Sequence, residues 1–207
     1  MKDRDTGSNP MLLIWVLLFL YPLNAFAGDP TVQIKSTVDQ VIQTLSNPTL
    51  QGEGKKQELR KRLREAIFAR FDFQEMAQRS LGPHWQRRSA NERIEFMKVF
   101  SDLLEKSYVD KIESYNNEKF IYTNEKINGT YAEVDSKLQT SKGEEFVISY
   151  KLHRVGEDWR VYDLVIENVS LVNNYRSQFN RVLSNSNYDE LISKLKAKLS
   201  DKGDQMK

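Results

Sequence analysis

The spacing of apolar residues changes once along this chain and then changes back, and that switch constrains the fold more than any other feature. Upstream of Asn117 apolar side chains recur every three to four positions, between residues 120 and 166 they alternate, and from about Ser170 the helical spacing returns. Helices, then strands, then helices predict an α+β domain with helices packed on one face of a sheet.

Within the alternating region, residues 120–124 read as a short strand. Asn128 and Gly129 give a strong hairpin signal, because both residue types tolerate the positive φ of a tight turn. The next strand, residues 130–139, sets Ala132, Val134, Ser136 and Leu138 against Tyr131, Glu133, Asp135 and Lys137. After Gly143 the alternation sharpens, with Phe146, Ile148, Tyr150 and Leu152 opposed to Val147, Ser149 and Lys151. Gly156 then turns the chain into residues 159–166. Short turns between successive strands predict a four-stranded antiparallel meander with one apolar and one wet face.

The flanking helices have equally readable faces. Val38, Val41, Ile42 and Leu45 form one stripe, which Asn47 and Pro48 end. Leu59, Leu63 and Ile67 form a second, on a helix also crowded with Lys55, Lys56, Arg60, Lys61, Arg62 and Arg64. Asp72 with Glu75, and Ser89 with Glu92, have the spacing of capping boxes. The second pair opens the longest helix, running to about Tyr115. It carries Ile94, Met97, Phe100, Leu104 and Tyr108, widened by Phe96, Val99 and Leu103. So broad an apolar surface needs cover on two flanks. A last helix begins after Asn187 and buries Leu191, Leu195 and Leu199.

Composition removes most chemistry. With Cys 0 there are no disulfides, thiolate metal sites or cysteine nucleophiles, and with His 2 a histidine-built metal centre has too few ligands. Lys+Arg 31 against Asp+Glu 29 lacks the basic excess of a dedicated nucleic-acid binder. The chain has no nucleophile elbow, phosphate-binding loop or calcium loop; Gly52 and Gly54 lack a third glycine and follow no strand. Asp163 and Glu167 sit on or just after a strand and could be imagined as a catalytic carboxylate pair, but nothing in the sequence gives either the shifted pKa that role needs. His84 and His153 lie near turns and are expected at the surface. The basic face at residues 55–64 is expected to be a solvated helix surface, with docking to anionic headgroups or an acidic partner as the alternative. The rings (Phe 10, Tyr 9, Trp 3) fit either a filled core or the wall of an apolar cavity.

The N-terminus reads as a targeting segment. Residues 11–20 are unbroken apolar, preceded by Lys2 and Arg4 and followed by Ala25-Phe26-Ala27, a small-residue cleavage pattern. Asp3 and Asp5 offset the two basic residues. The run is shorter than the ~20 residues of a membrane span. Residues 1–27 are therefore expected to be a secretory signal peptide, and residues 28–207 one exported domain.

Between Asp158 and Phe179 the residues Trp159, Tyr162, Asp163, Glu167, Val169, Ser170, Asn174, Tyr175, Arg176, Gln178 and Phe179 resemble the MlaC family, also called toluene-tolerance auxiliary proteins. A second block agrees: Leu81, Gly82, Trp85, Ser89 to Arg93, then Phe96, Phe100, Leu104 and Tyr108. So does the closing helix from Tyr188. His84 stands where the family often has tyrosine. The resemblance implies a twisted antiparallel sheet wrapped by helices around an apolar lipid cavity. It implies a periplasmic phospholipid carrier, serving an ABC transport system that maintains outer-membrane lipid asymmetry. The implied partners are phospholipid, an inner-membrane substrate-binding ring and an outer-membrane lipoprotein–porin complex, with no nucleic acid, cofactor, metal or catalytic residue. The most apolar faces are then the expected lining: Phe146, Ile148, Tyr150 and Leu152; Tyr162, Leu164 and Ile166; and Phe100, Leu104 and Tyr108 on the long helix. Asp163 and Arg176 are expected to brace the sheet or serve docking. An exported, non-enzymatic adaptor with a filled core is the competing reading.

Overall fold

The structure is a computed structural model and describes residues 28–201. The expected signal peptide lies outside the described residues. Among those described, no helix is long and apolar enough to cross a membrane.

Helix α1 (Pro30–Leu45) starts where Asp29 accepts hydrogen bonds from the backbone N–H groups of Thr31 and Val32. A 3-10 turn at Pro48–Leu50 leads towards α2 (Lys56–Arg70) and α3 (Phe73–Leu81), the latter capped by Asp72. Gly82, at φ 54°, ends α3 in a conformation costly for other residues. Helix α4 (Ala90–Glu113) opens with a full capping box: the Glu92 N–H donates to Ser89 Oγ, and the Ser89 N–H donates to the Glu92 carboxylate at 2.6 Å.

Strands β1 (Lys119–Asn128), β2 (Tyr131–Gln139), β3 (Glu145–Val155) and β4 (Asp158–Ile166) form the expected meander. The sheet has five strands rather than four, because β5 (Val169–Ser170) folds back on β4. Two residues carry no readable period, which is why alternation misses this strand. Glu167 and Asn168, both at positive φ, make the tight turn between them. Helices α5 (Leu171–Asn185) and α6 (Tyr188–Ser200) follow directly.

The apolar interior is divided. Ile34 of α1 packs with Ala132, Val134, Tyr150, Leu152, Trp159 and Val161 on the inner face of the sheet. A larger cluster, including Met76, Phe96, Phe100, Tyr175, Phe179 and Leu191, is built from α3 to α6. Half-buried Phe71 and Leu164 touch both. Phe71 also bridges to Val161, where the Asp72 N–H donates to the Val161 carbonyl at 2.8 Å and occupies the β4 edge.

Helix α2 does not present a free basic face. Arg60 pairs with Asp110 and Glu113 of α4, and Arg64 with Asp102 and Glu105. Lys61 and Arg62 pair within α2 itself. His153 is likewise not a loose surface residue. It is half-buried with Nε2 3.0 Å from Asp72 Oδ2, because the end of β3 lies against the start of α3. His84 meets Asn180 at 3.1 Å.

Candidate functional site

Strand pairing places the inner-face residues of the sheet in rungs. The closed end carries Ala132, Leu152 and Val161, with Ile127 of the edge strand β1 beside them and 52% exposed. The next rung holds Glu125, which accepts from Thr31 of α1, with Val134, Tyr150 and Leu164, and the one beyond it Tyr122, Ser136, Ile148 and Ile166. Phe120, Leu138 and Phe146 form the last. Among the apolar residues of β2 to β4, burial falls along this series. Leu152 and Val161 are 0% exposed, whereas Phe146 is 40% exposed, and Phe120, Leu138, Ile148 and Ile166 are only half-buried. Successive rungs lie about 6.7 Å apart along a strand. Across β2 to β4 the inner face is thus sealed under α1 at one end and apolar but incompletely covered at the other.

The expected lining residues separate on this map. Phe146, Ile148, Tyr150, Leu152, Leu164 and Ile166 do share the inner face. Leu152 and Tyr150 are buried within the sheet cluster, while Ile148 and Leu164 flank it. Phe100 and Leu104 lie in the helical cluster, with Tyr108 packed against it. Tyr162 departs from its group. A bulge pairs Lys151 with Asp163 and Leu152 with Val161, so Tyr162 is skipped and turns away. Its ring meets Tyr131 and His153 edge-on and lies under the Arg79 guanidinium at 4.0 Å. Strict alternation cannot anticipate one extra residue.

Two inner-face contributors escape the sequence reading. Tyr122 is half-buried opposite Ser136, and Phe71 joins the two clusters. The aromatic pair Phe71 and Phe73 around the α2–α3 break is the signal that could have pointed to the second.

The phenols near this face are neutral donors. Burial pushes the Tyr150 phenol up to about 12, partly countered by a hydrogen bond with Ser136, and burial pushes Tyr108 up to about 12. Burial also raises Tyr122, and its electrostatic interaction with Tyr150 and Asp39 adds to the effect. Two shallow hollows elsewhere, one along α1 at Lys35, Asp39 and Gln43, the other around Lys55, Glu58 and Lys61, have largely polar linings.

Asp163 and Arg176 act as braces. Asp163 is buried and accepts from Ser170 Oγ at 2.6 Å and from the Val172 N–H at 3.0 Å, tying β4 to the start of α5. Arg176 Nε donates to the Arg79 carbonyl at 2.7 Å, beside Gly82. Among the described residues no three His, Asp or Glu side chains gather as a metal site.

Comparisons with known proteins agree with this geometry. The chain is 22% identical over 199 residues to the intermembrane phospholipid transport system binding protein MlaC of Haemophilus influenzae, covering 90% of this chain and 93% of that protein. Its fold is similar to that of a phospholipid-binding protein from Ralstonia solanacearum, solved in complex with a phospholipid. That match has a TM-score of 0.75 at 24% identity and covers 84% of this chain and 99% of the other. The family model described as MlaC protein matches residues 35–197, so the chain belongs to the MlaC family.

Proposed function

We propose that this protein is a periplasmic phospholipid carrier, the soluble component of an ABC transport system that moves lipid between the outer and inner membranes. The observation that carries the reading is the inner sheet face, whose rungs at Ile148, Ile166 and Phe146 are apolar yet only partly covered. Family membership and the phospholipid named for both relatives support it.

The physical need is large. Two acyl chains of about sixteen carbons, at ~0.8 kcal/mol per methylene, make full exposure to water cost on the order of 20 kcal/mol. Transfer onto an apolar protein face replaces one hydrocarbon environment with another, so exchange can be nearly neutral. No bond is made or broken in such a step, and the protein acts without catalytic residues or cofactor. Residues 1–27 direct export and are removed. Docking to an inner-membrane substrate-binding ring and an outer-membrane lipoprotein–porin complex completes the cycle.

The test is organic extraction of the purified exported protein followed by mass spectrometry. Near-stoichiometric phospholipid is expected. Protein that carries none, and acquires none from vesicles, would refute the carrier reading in favour of an adaptor with a filled core.

A further inference from the structure

Among the described residues, the buried side-chain atoms with no hydrogen-bond partner are Ser80 Oγ, Arg88 Nε, Tyr122 Oη, Trp159 Nε1 and Arg160 Nε. A buried donor without an acceptor is costly, so each such atom asks what else could occupy its surroundings. Ser80 belongs to α3 and to no rung of the sheet. The Arg88 guanidinium already pairs with Glu92 at 2.9 Å. Arg160 faces the other side of the sheet, paired with His153. Trp159 lies within the sealed sheet cluster. Of these atoms, Tyr122 Oη alone belongs to a half-open rung of the inner face, the one it shares with Ser136, Ile148 and Ile166.

Neither Ser136 nor Asp39 accepts from the Tyr122 hydroxyl. Ser136 Oγ donates to the Ile148 carbonyl at 3.2 Å and is hydrogen-bonded to Tyr150. Asp39 pairs with Lys35 at 2.7 Å. A phenol held neutral by burial can offer only its O–H, so the missing partner is an acceptor. A lipid supplies two kinds: phosphate oxygens and ester carbonyls. Phosphate is the poorer fit. The rungs at Tyr122 and Phe146 carry no Lys or Arg, and Lys35 is already paired with Asp39. An anion there would be desolvated and left without a cation to pair with. A neutral carbonyl meets neither penalty.

We propose that the Tyr122 hydroxyl donates a hydrogen bond to an acyl ester carbonyl of the bound phospholipid, fixing the glycerol end of the lipid at this rung and favouring ester-linked over ether-linked chains. The proposal rests on the carrier reading. It assigns Tyr122 a specificity role that a purely greasy surface would not have.

The experiment compares delipidated wild type and Tyr122→Phe with vesicles containing either dipalmitoyl phosphatidylethanolamine or its dihexadecyl ether analogue. Protein-bound lipid is measured by mass spectrometry and folding by thermal melting. Wild type should take up the diester about three- to tenfold better than the diether, the worth of one net hydrogen bond. Tyr122→Phe should lose that preference through weaker diester binding alone, with its melting temperature preserved because the hydroxyl has no partner within the protein. Equal binding of both lipids by wild type, or an undiminished preference in Tyr122→Phe, overturns the proposal while leaving the carrier reading intact. Uptake of neither lipid by wild type overturns both.

Discussion

Leu152 and Phe146 sit on the same strand and the same face, yet truncating them should produce opposite defects. Leu152 is fully buried between Ala132 and Val161, so Leu152→Ala leaves a cavity that neighbours can only partly fill. Such changes cost about 2–5 kcal/mol. In a domain of this size each kcal/mol shifts the melting temperature by about 2–4 °C, so a drop of roughly 6–12 °C is expected for a 3 kcal/mol loss. Phe146 is 40% exposed, so only part of the ~1.5–3 kcal/mol for burying such a ring is at stake. Water can also enter the space it leaves, and the cost should be about 1–2 kcal/mol, or roughly 2–8 °C. Bound lipid should respond in the reverse order. Phe146→Ala removes apolar surface from the open end and should lower the phospholipid recovered per folded protein, whereas Leu152→Ala should leave it near the wild-type level. Both quantities can be read from one preparation, by melting the delipidated protein and by mass spectrometry of an extract. If Leu152→Ala empties the protein while Phe146→Ala stays loaded, the lipid does not use the open end and the map of the inner face is wrong.

Two further expectations concern the frame around that face. Asp163→Ala strips the acceptor from the Val172 N–H and Ser170 Oγ, so urea titration should show a loss of about 1–3 kcal/mol; an unchanged midpoint would mean that water replaces the carboxylate. Arg60 hydrogen-bonds Glu113 at 2.6 Å and holds its carboxyl below the usual range, so the pair stabilises the fold above the ordinary carboxylate pKa and loses that contribution as pH falls through the lowered one. Since Arg60 is about a third exposed, Arg60→Leu should cost only about 0.5–1 kcal/mol at neutral pH, and the gap should close in acid; a gap independent of pH would point to lost packing instead.

The sequence makes the elements legible and their partition much less so. Alternation from Phe146 to Leu152 identifies a strand face because each residue's side is set locally by the pleat. The same rule misplaces Tyr162, since one bulge residue resets the parity of everything before it, and a bulge is fixed by the pairing of two strands. Capping shows the same contrast. The local Ser89 and Glu92 pair is readable and forms as expected. The pairing of Arg60 with Asp110 and Glu113 spans two helices, and nothing in the basic run of α2 reveals it. Composition also left undecided whether the rings fill a core or wall a cavity. Phe100 and Leu104 prove to be buried among helices, whereas Phe146 and Ile148 are not sealed, and that difference depends on which elements cover them.

The division of the apolar interior also explains how a carrier can leave part of its sheet uncovered and remain folded. A single continuous core opened at one end would lose packing throughout, because interiors are dense and transmit strain. Here Phe96, Phe100, Tyr175 and Phe179 contact one another wholly within the helical layer, with ring centroids 5.2–5.8 Å apart. The sheet cluster closes separately beneath Ile34 of α1. Phe71 and Leu164 are the half-buried residues that touch both. Phe146 belongs to neither cluster, so displacing apolar contacts around it need not disturb them, and the energy of holding lipid there is largely separated from the energy of folding. On that reasoning, substitutions at the open rungs change occupancy, and substitutions at Phe100 or Leu152 change stability first.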